Sequence, residues 1–193
     1  MNFLAHALLA DEHPALIVGG VVGDWIKGSL PGPLPDDLAK GVALHRAIDS
    51  FAESQPAFRR SRARISAYRR RYAGVLVDVI YDHLLAHHWS AIHHQPLDEY
   101  CANVYGLIKD RLNDLPVSSH PALMMMEREN WLFSYAQIDG IADVLIRMSR
   151  RARQPNPLAS GELEYLADVD GFTGDFHDWL ADTKVFCQRW QGN

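Results

Sequence analysis

The stretch "VLVDVIYDHLLAHHW", residues 75–89, sets Asp78, Asp82, His83, His87 and His88 inside one of the most apolar segments of the chain. On a helix turning about 100° per residue, Asp78 and Asp82 lie about 40° apart and share one face with Val75, Leu85 and Trp89. An isolated ionised carboxylate in such surroundings costs several kcal/mol, and two facing each other cost more because they repel. Three things could compensate: a buried arginine, protonation of the aspartates, or a divalent metal that takes oxygen ligands directly.

The preceding apolar segment, "VALHRAIDSF", repeats the device. His45 and Asp49 are four residues apart and share a face with Gly41, Ile48 and Ala52. "GGVVGDWIKG" adds Asp24 at the end of another apolar stretch, and "NFLAH" adds His6 beside Phe3. His6, Asp24, His45, Asp49, Asp78, Asp82 and His83 therefore all stand in apolar helical surroundings. Acid and imidazole side chains projecting inward from neighbouring helices are how helical bundles build metal centres. The mix of oxygen and imidazole nitrogen, without thiolate, points to Mn²⁺, Mg²⁺ or Fe rather than structural zinc, and such sites typically hydrolyse. His87, His88, His93 and His94 sit at a helix end and in the next turn and read as surface histidines.

The elements that must position these residues are helices. Turn signals cluster at 28–35, 54–56, 93–96, 115–121 and 153–161, and apolar residues between them recur every three to four positions, with no sustained strand alternation. The pattern predicts an all-α bundle of seven or eight helices: 2–10, 14–27, 36–53, 56–71, 73–92, 97–113, 121–150 with a break, and 160–190 with another. Asp36 and Asp37 after Pro35, and Pro56 after Ser54 and Gln55, suit helix starts. At 193 residues, with 48% hydrophobic and 22% charged, the chain reads as one globular domain spanning 1–193.

No apolar window is long enough for a membrane span and the N-terminus lacks a secretory pattern, which predicts a cytoplasmic protein without a membrane partner. Cys101 and Cys187 are too few for a disulfide framework and read as reduced thiols. The net charge of −5 conceals an asymmetry, because "RRSRARISAYRRR" holds seven of the 19 Lys and Arg residues: Arg59, Arg60, Arg62, Arg64, Arg69, Arg70 and Arg71. Such a basic helix on an acidic protein suits an acidic macromolecular partner; the alternative is a solvated helix whose arginines pair with the protein's own acids. The acidic total and the lack of a nucleic-acid motif argue against DNA or RNA.

Histidine and aspartate on successive buried helices resemble the HD superfamily of metal-dependent phosphohydrolases, although the adjacent pair here runs Asp82-His83 rather than His-Asp. A closer resemblance spans almost the whole chain. "MNFLAHALLA", "GDWIKG", "LHRAIDSF", "FRRSRAR", "RYAGVLVDVIYDHLLAHHW" and "NWLFSYAQIDGIADVLIRMSRR" look like the bacterial acyl carrier protein phosphodiesterases. The resemblance implies hydrolysis of the 4′-phosphopantetheine arm from holo acyl carrier protein, giving apo protein and 4′-phosphopantetheine, with Mn²⁺ or Mg²⁺ required. The buried acids and imidazoles themselves lead to the expectation of a metal on Asp24, His45, Asp78 and Asp82, with His6, Asp49 and His83 as added ligands or supporting groups. In that frame His83 is the candidate acid, Arg46 and Lys27 hold phosphate oxygens, the α-helical arginines dock the acidic carrier, and "MMMERENWLFSY" lines a groove for the arm. Two alternatives remain open: a phosphohydrolase acting on a nucleotide or another small phosphate ester, and a non-enzymatic basic-helix binding protein.

Overall fold

The computed structural model describes residues 2–192. Among them the regular elements are all helical: α1 Phe3–Leu9, α2 Pro14–Val22, α3 Asp36–Ser54, α4 Pro56–Arg64, α5 Ala73–His87, α6 Trp89–Ile92, α7 Leu97–Asp110, α8 His120–Arg128, α9 Trp131–Ser134, α10 Ile138–Arg151, α11 Glu162–Ala167 and α12 Val169–Gln191, with four short 3₁₀ turns. None is long and apolar enough to cross a membrane.

The all-α class matches the sequence pattern, but the helices are more numerous because buried side chains break several of them. The expected 56–71 helix stops at Arg64, where extended Ile65 turns its side chain into the core and a 3₁₀ turn, Ala67–Tyr72, follows. The 73–92 helix divides at His88. The 121–150 segment becomes three helices, divided at left-handed Asn130 and at extended Gln137. The 160–190 segment divides at Asp168, whose carboxylate caps α12 by accepting the amide of Gly171 at 3.1 Å. The 14–27 helix ends at Val22 and tightens into a 3₁₀ turn, Gly23–Trp25. Helices α3 and α4 do begin at Asp36 and Pro56, as the dipole and the proline's missing N–H favour.

Helix α5 runs through the core and is apolar nearly all round. Leu76, Val77, Ile80, Tyr81, Leu84 and Leu85 are fully buried, each aliphatic side chain among them worth roughly 1.5–3 kcal/mol of transfer free energy. Helices α2 and α3 cross closely enough that a Cβ on Gly19 would lie 2.6 Å from the Gly41 backbone. That approach brings the Gly23–Trp25 turn, with Asp24, against His45. Helix α1 is tied to α5 by Asp82, which is 1% exposed and accepts the amides of Leu4 at 3.1 Å and Ala5 at 2.9 Å. His6 then lands one turn along α1, beside α3.

Candidate metal centre

Three elements converge on one cluster. His6 of α1 and His45 of α3 stack ring on ring, with centroids 3.9 Å apart and planes at 25°. The Asp49 carboxylate bridges them, Oδ1 lying 3.1 Å from His6 Nε2 and Oδ2 3.3 Å from His45 Nε2. Asp24 Oδ1 approaches His45 Nε2 at 3.8 Å. His6, His45 and Asp49 each offer a donor atom, all within 4.8 Å of one another, a spacing that could hold a metal ion. Both histidines are buried, whereas the Asp49 side chain is 48% exposed, so the cluster opens to solvent on the carboxylate side.

The protonation pattern follows from these contacts. Burial depresses the His6 imidazolium, reinforced by the charge of His45, to a pKa of about 4, so His6 is neutral at pH 7. For His45 burial acts in the same direction, but the hydrogen bonds and charges of Asp24 and Asp49 outweigh it and bring the pKa up to about 9. Burial would likewise raise the Asp24 and Asp49 carboxyls; the imidazoles reverse this, holding Asp24 at about 2 and Asp49 lower still. Asp78, half-buried on α5, is pushed up by burial and then by the negative charges of Asp49 and Asp24, which places it in the same electrostatic neighbourhood.

The donor set fits a divalent cation. His45 Nδ1 lies 2.7 Å from the carbonyl oxygen of Gly20, which can only accept, so Nδ1 carries the proton. The Nε2 lone pair then faces Asp24 and Asp49 whenever the ring is neutral, the orientation a backbone partner usually imposes on a metal-ligating histidine. Gly23 clears the space, because a Cβ there would lie 2.3 Å from His45 Cγ.

The other expected residues are placed as follows. Asp82 spends both carboxylate oxygens on the start of α1, the helix that carries His6, and burial raises it to about 7; it is not among the residues whose donor atoms gather with those of His6, His45 and Asp49. His83 points Nδ1 at the Tyr135 carbonyl, 2.8 Å away, and packs edge-on against Tyr165. Burial lowers its pKa, and the fold carries it to α9 and α11 instead of the cluster. His87, His88, His93 and His94 lie outside the cluster, with His88 and His93 half-buried. Arg46 Nη2 donates to the Ile26 carbonyl at 3.1 Å, bracing the turn that carries Asp24.

Lys27 lines, with Asp24, a groove of about 380 Å³ whose walls include Phe3, Trp25, Trp131, Tyr135, Arg147 and Arg151. Phe3 and Trp25 stack at 5.2 Å. Opposite them, Trp131 donates its Nε1–H to Glu129 at 3.0 Å and lies under the Arg147 guanidinium at 5.0 Å. Of "MMMERENWLFSY", Trp131 and Tyr135 reach this groove, whereas Met124 and Met125 line a different cavity of about 620 Å³. Sequence reasoning missed Arg147 and Arg151; their four-residue spacing in "RMSRR" was the available signal.

Three of the seven arginines in the basic stretch are paired with the chain's own acids. Arg60 and Arg64 converge on Asp175, which is 3% exposed, with N–O distances of 2.5 and 2.9 Å, and also pair with Asp178 and Asp168. Arg69 pairs with Glu164 at 3.0 Å. Arg59 donates to the Glu53 carbonyl. Arg62, Arg70 and Arg71 stay exposed. Cys101 and Cys187 are free and buried, and burial pushes both thiols up to about 12.

The family model described as acyl carrier protein phosphodiesterase matches residues 1–183. This chain belongs to the acyl carrier protein phosphodiesterase family. Relatives bearing that name include proteins of Pectobacterium atrosepticum, 34% identical over 78% of this chain and 79% of the relative, and Escherichia coli, 33% identical over 97% of both. A third, from Photorhabdus laumondii, is 29% identical over 96% of this chain and 98% of its own. The family is thus one of phosphoric diester hydrolases. No solved structure matches the chain.

Proposed function

We propose that this protein hydrolyses the phosphodiester linking 4′-phosphopantetheine to the serine of holo acyl carrier protein, with Mn²⁺ or Mg²⁺ as cofactor. The carrier protein as substrate follows from the names of the relatives. The observation that carries the metal requirement is the bridging of His6 and His45 by Asp49 beside the groove that begins at Asp24.

His6, His45, Asp49 and Asp24 would hold the cation, with Asp78 supporting it through charge. Once bound, a divalent cation supplies Lewis acidity, polarising phosphoryl oxygens and making water nucleophilic at neutral pH. The chain's own residues do the remaining work. Gly20 keeps the proton on His45 Nδ1, and Asp82 holds α1 so that His6 stays stacked on His45. Lys27, at the groove beside Asp24, offsets charge on the phosphate oxygens. Water adds to phosphorus, the serine oxygen–phosphorus bond breaks, and the serine oxygen takes a proton, leaving apo carrier and 4′-phosphopantetheine. The slender, partly apolar arm suits the walls of Phe3, Trp25 and Trp131, and about 380 Å³ lies within the usual small-ligand range of about 300–1,000 Å³.

The test incubates holo acyl carrier protein with the purified protein and Mn²⁺ and weighs the carrier by mass spectrometry. Loss of the 4′-phosphopantetheine mass is expected, abolished by chelator and by Asp49→Ala. An intact carrier, or loss undiminished in Asp49→Ala, overturns the reading.

A further inference from the structure

A second basic cluster lies where the reaction needs one. Arg147, Arg150, Arg151 and Arg153 fall within seven residues at the end of α10 and just past it. Arg147 and Arg151 line the groove that also contains Asp24 and Lys27. On helical spacing Arg147, Arg150 and Arg151 occupy an arc of about 100°. Arg147 leans toward Glu129, 3.5 Å away, while Arg150, Arg151 and Arg153 are exposed and have no ion-pair partner among the described residues.

We infer that this α10 cluster, at the mouth of the Asp24 groove, is the docking surface for the acidic carrier protein. The inference rests on the proposed substrate. If the bond broken is the serine oxygen–phosphorus bond, the reacting phosphorus sits only a few bonds from the carrier's backbone. The carrier must then press its surface against the rim of the metal cluster, and its contact residues must border that rim. Arg147 and Arg151 meet this requirement because they line a cavity with Asp24, and exposed Arg150 and Arg153 flank Arg151 in the chain. The arginines of 59–71 line no part of that groove, and Arg60 and Arg64 among them are already paired with Asp175, Asp178 and Asp168. Uncommitted cations beside the reacting centre steer an anionic partner and set its orientation, an effect that weakens with salt.

Two variants decide between the surfaces: Arg150→Glu/Arg151→Glu/Arg153→Glu on α10, and Arg62→Glu/Arg70→Glu/Arg71→Glu near α4. Each is measured for KM and kcat on holo carrier and for affinity toward apo carrier at low and high ionic strength. The α10 variant should raise KM and weaken apo-carrier binding by about ten-fold or more, with kcat within about two-fold and a flatter salt dependence; the α4 variant should change KM less than about three-fold. Wild-type behaviour of the α10 variant, or a larger loss from the α4 variant, overturns the inference. Should the triple reversal not fold, Arg150→Gln/Arg151→Gln carries the same comparison with smaller shifts. If the parent protein does not hydrolyse holo carrier, the proposed function fails; apo-carrier binding still judges the surface separately.

Discussion

The Nδ1–H of His45 donates to the carbonyl oxygen of Gly20 across 2.7 Å, joining α3 to α2 at the cluster. This one bond fixes which imidazole nitrogen faces Asp24 and Asp49. In the metal-free protein that nitrogen is protonated, since Asp24 and Asp49 keep His45 at a pKa of about 9 despite burial. A cation bound at the cluster would therefore compete with a proton for one lone pair.

Binding of Mn²⁺ near pH 7 should release about one proton, from His45, because His6 is already neutral. Apparent affinity should rise with pH and level off near 9. Calorimetric titration in buffers of different ionisation enthalpy measures the count; zero protons released at pH 7 would rule the competition out.

Stability of the metal-free protein carries the same signature. The folded pKa of His45, about 9, lies above the ordinary 6.5, so its contribution is fully present below pH 6.5 and is lost as pH rises through 9. The loss should be on the order of 2–3 kcal/mol. Urea unfolding in chelator at pH 6.5 and 9.5 reads it, and His45→Gln should flatten the difference.

Asp82→Ala should destabilise the protein even in chelator, because it strips the Leu4 and Ala5 amides of their acceptor in the core. Each orphaned amide costs about 1–3 kcal/mol. Activity should fall as well, since His6 loses its support. A melting temperature equal to the parent's in chelator would show that α1 is anchored elsewhere.

Gly23→Ala tests the space around His45. Gly23 has ordinary right-handed backbone angles, so alanine imposes no backbone strain, but its methyl carbon would lie 2.3 Å from the imidazole. Metal affinity should drop at least about ten-fold, the range typical when a ligating histidine loses its orientation. Unchanged Mn²⁺ affinity would mean that the ring can move aside without cost.

The sequence by itself determined the all-α class and the i, i+4 pairing of His45 with Asp49, because the 3.6-residue period links spacing to face directly. It also narrowed the chemistry to buried acids and imidazoles on the first helices, since such groups in apolar runs call for a partner. Only the tertiary structure decided how they are divided. Asp82 and Asp78 share a helix face, yet Asp82 meets amides 77 and 78 positions away while Asp78 lies within the field of Asp24 and Asp49. The sequence leaves open whether the seven arginines of 59–71 face a partner or the chain's own acids; Asp175, 111 to 115 residues distant, binds Arg60 and Arg64, while Arg62, Arg70 and Arg71 stay exposed. Local periodicity records which way a side chain points along its own helix. What it points at depends on how distant helices pack, and that packing separates the anchoring Asp82 from the cluster of His6, His45 and Asp49, and paired arginines from exposed ones.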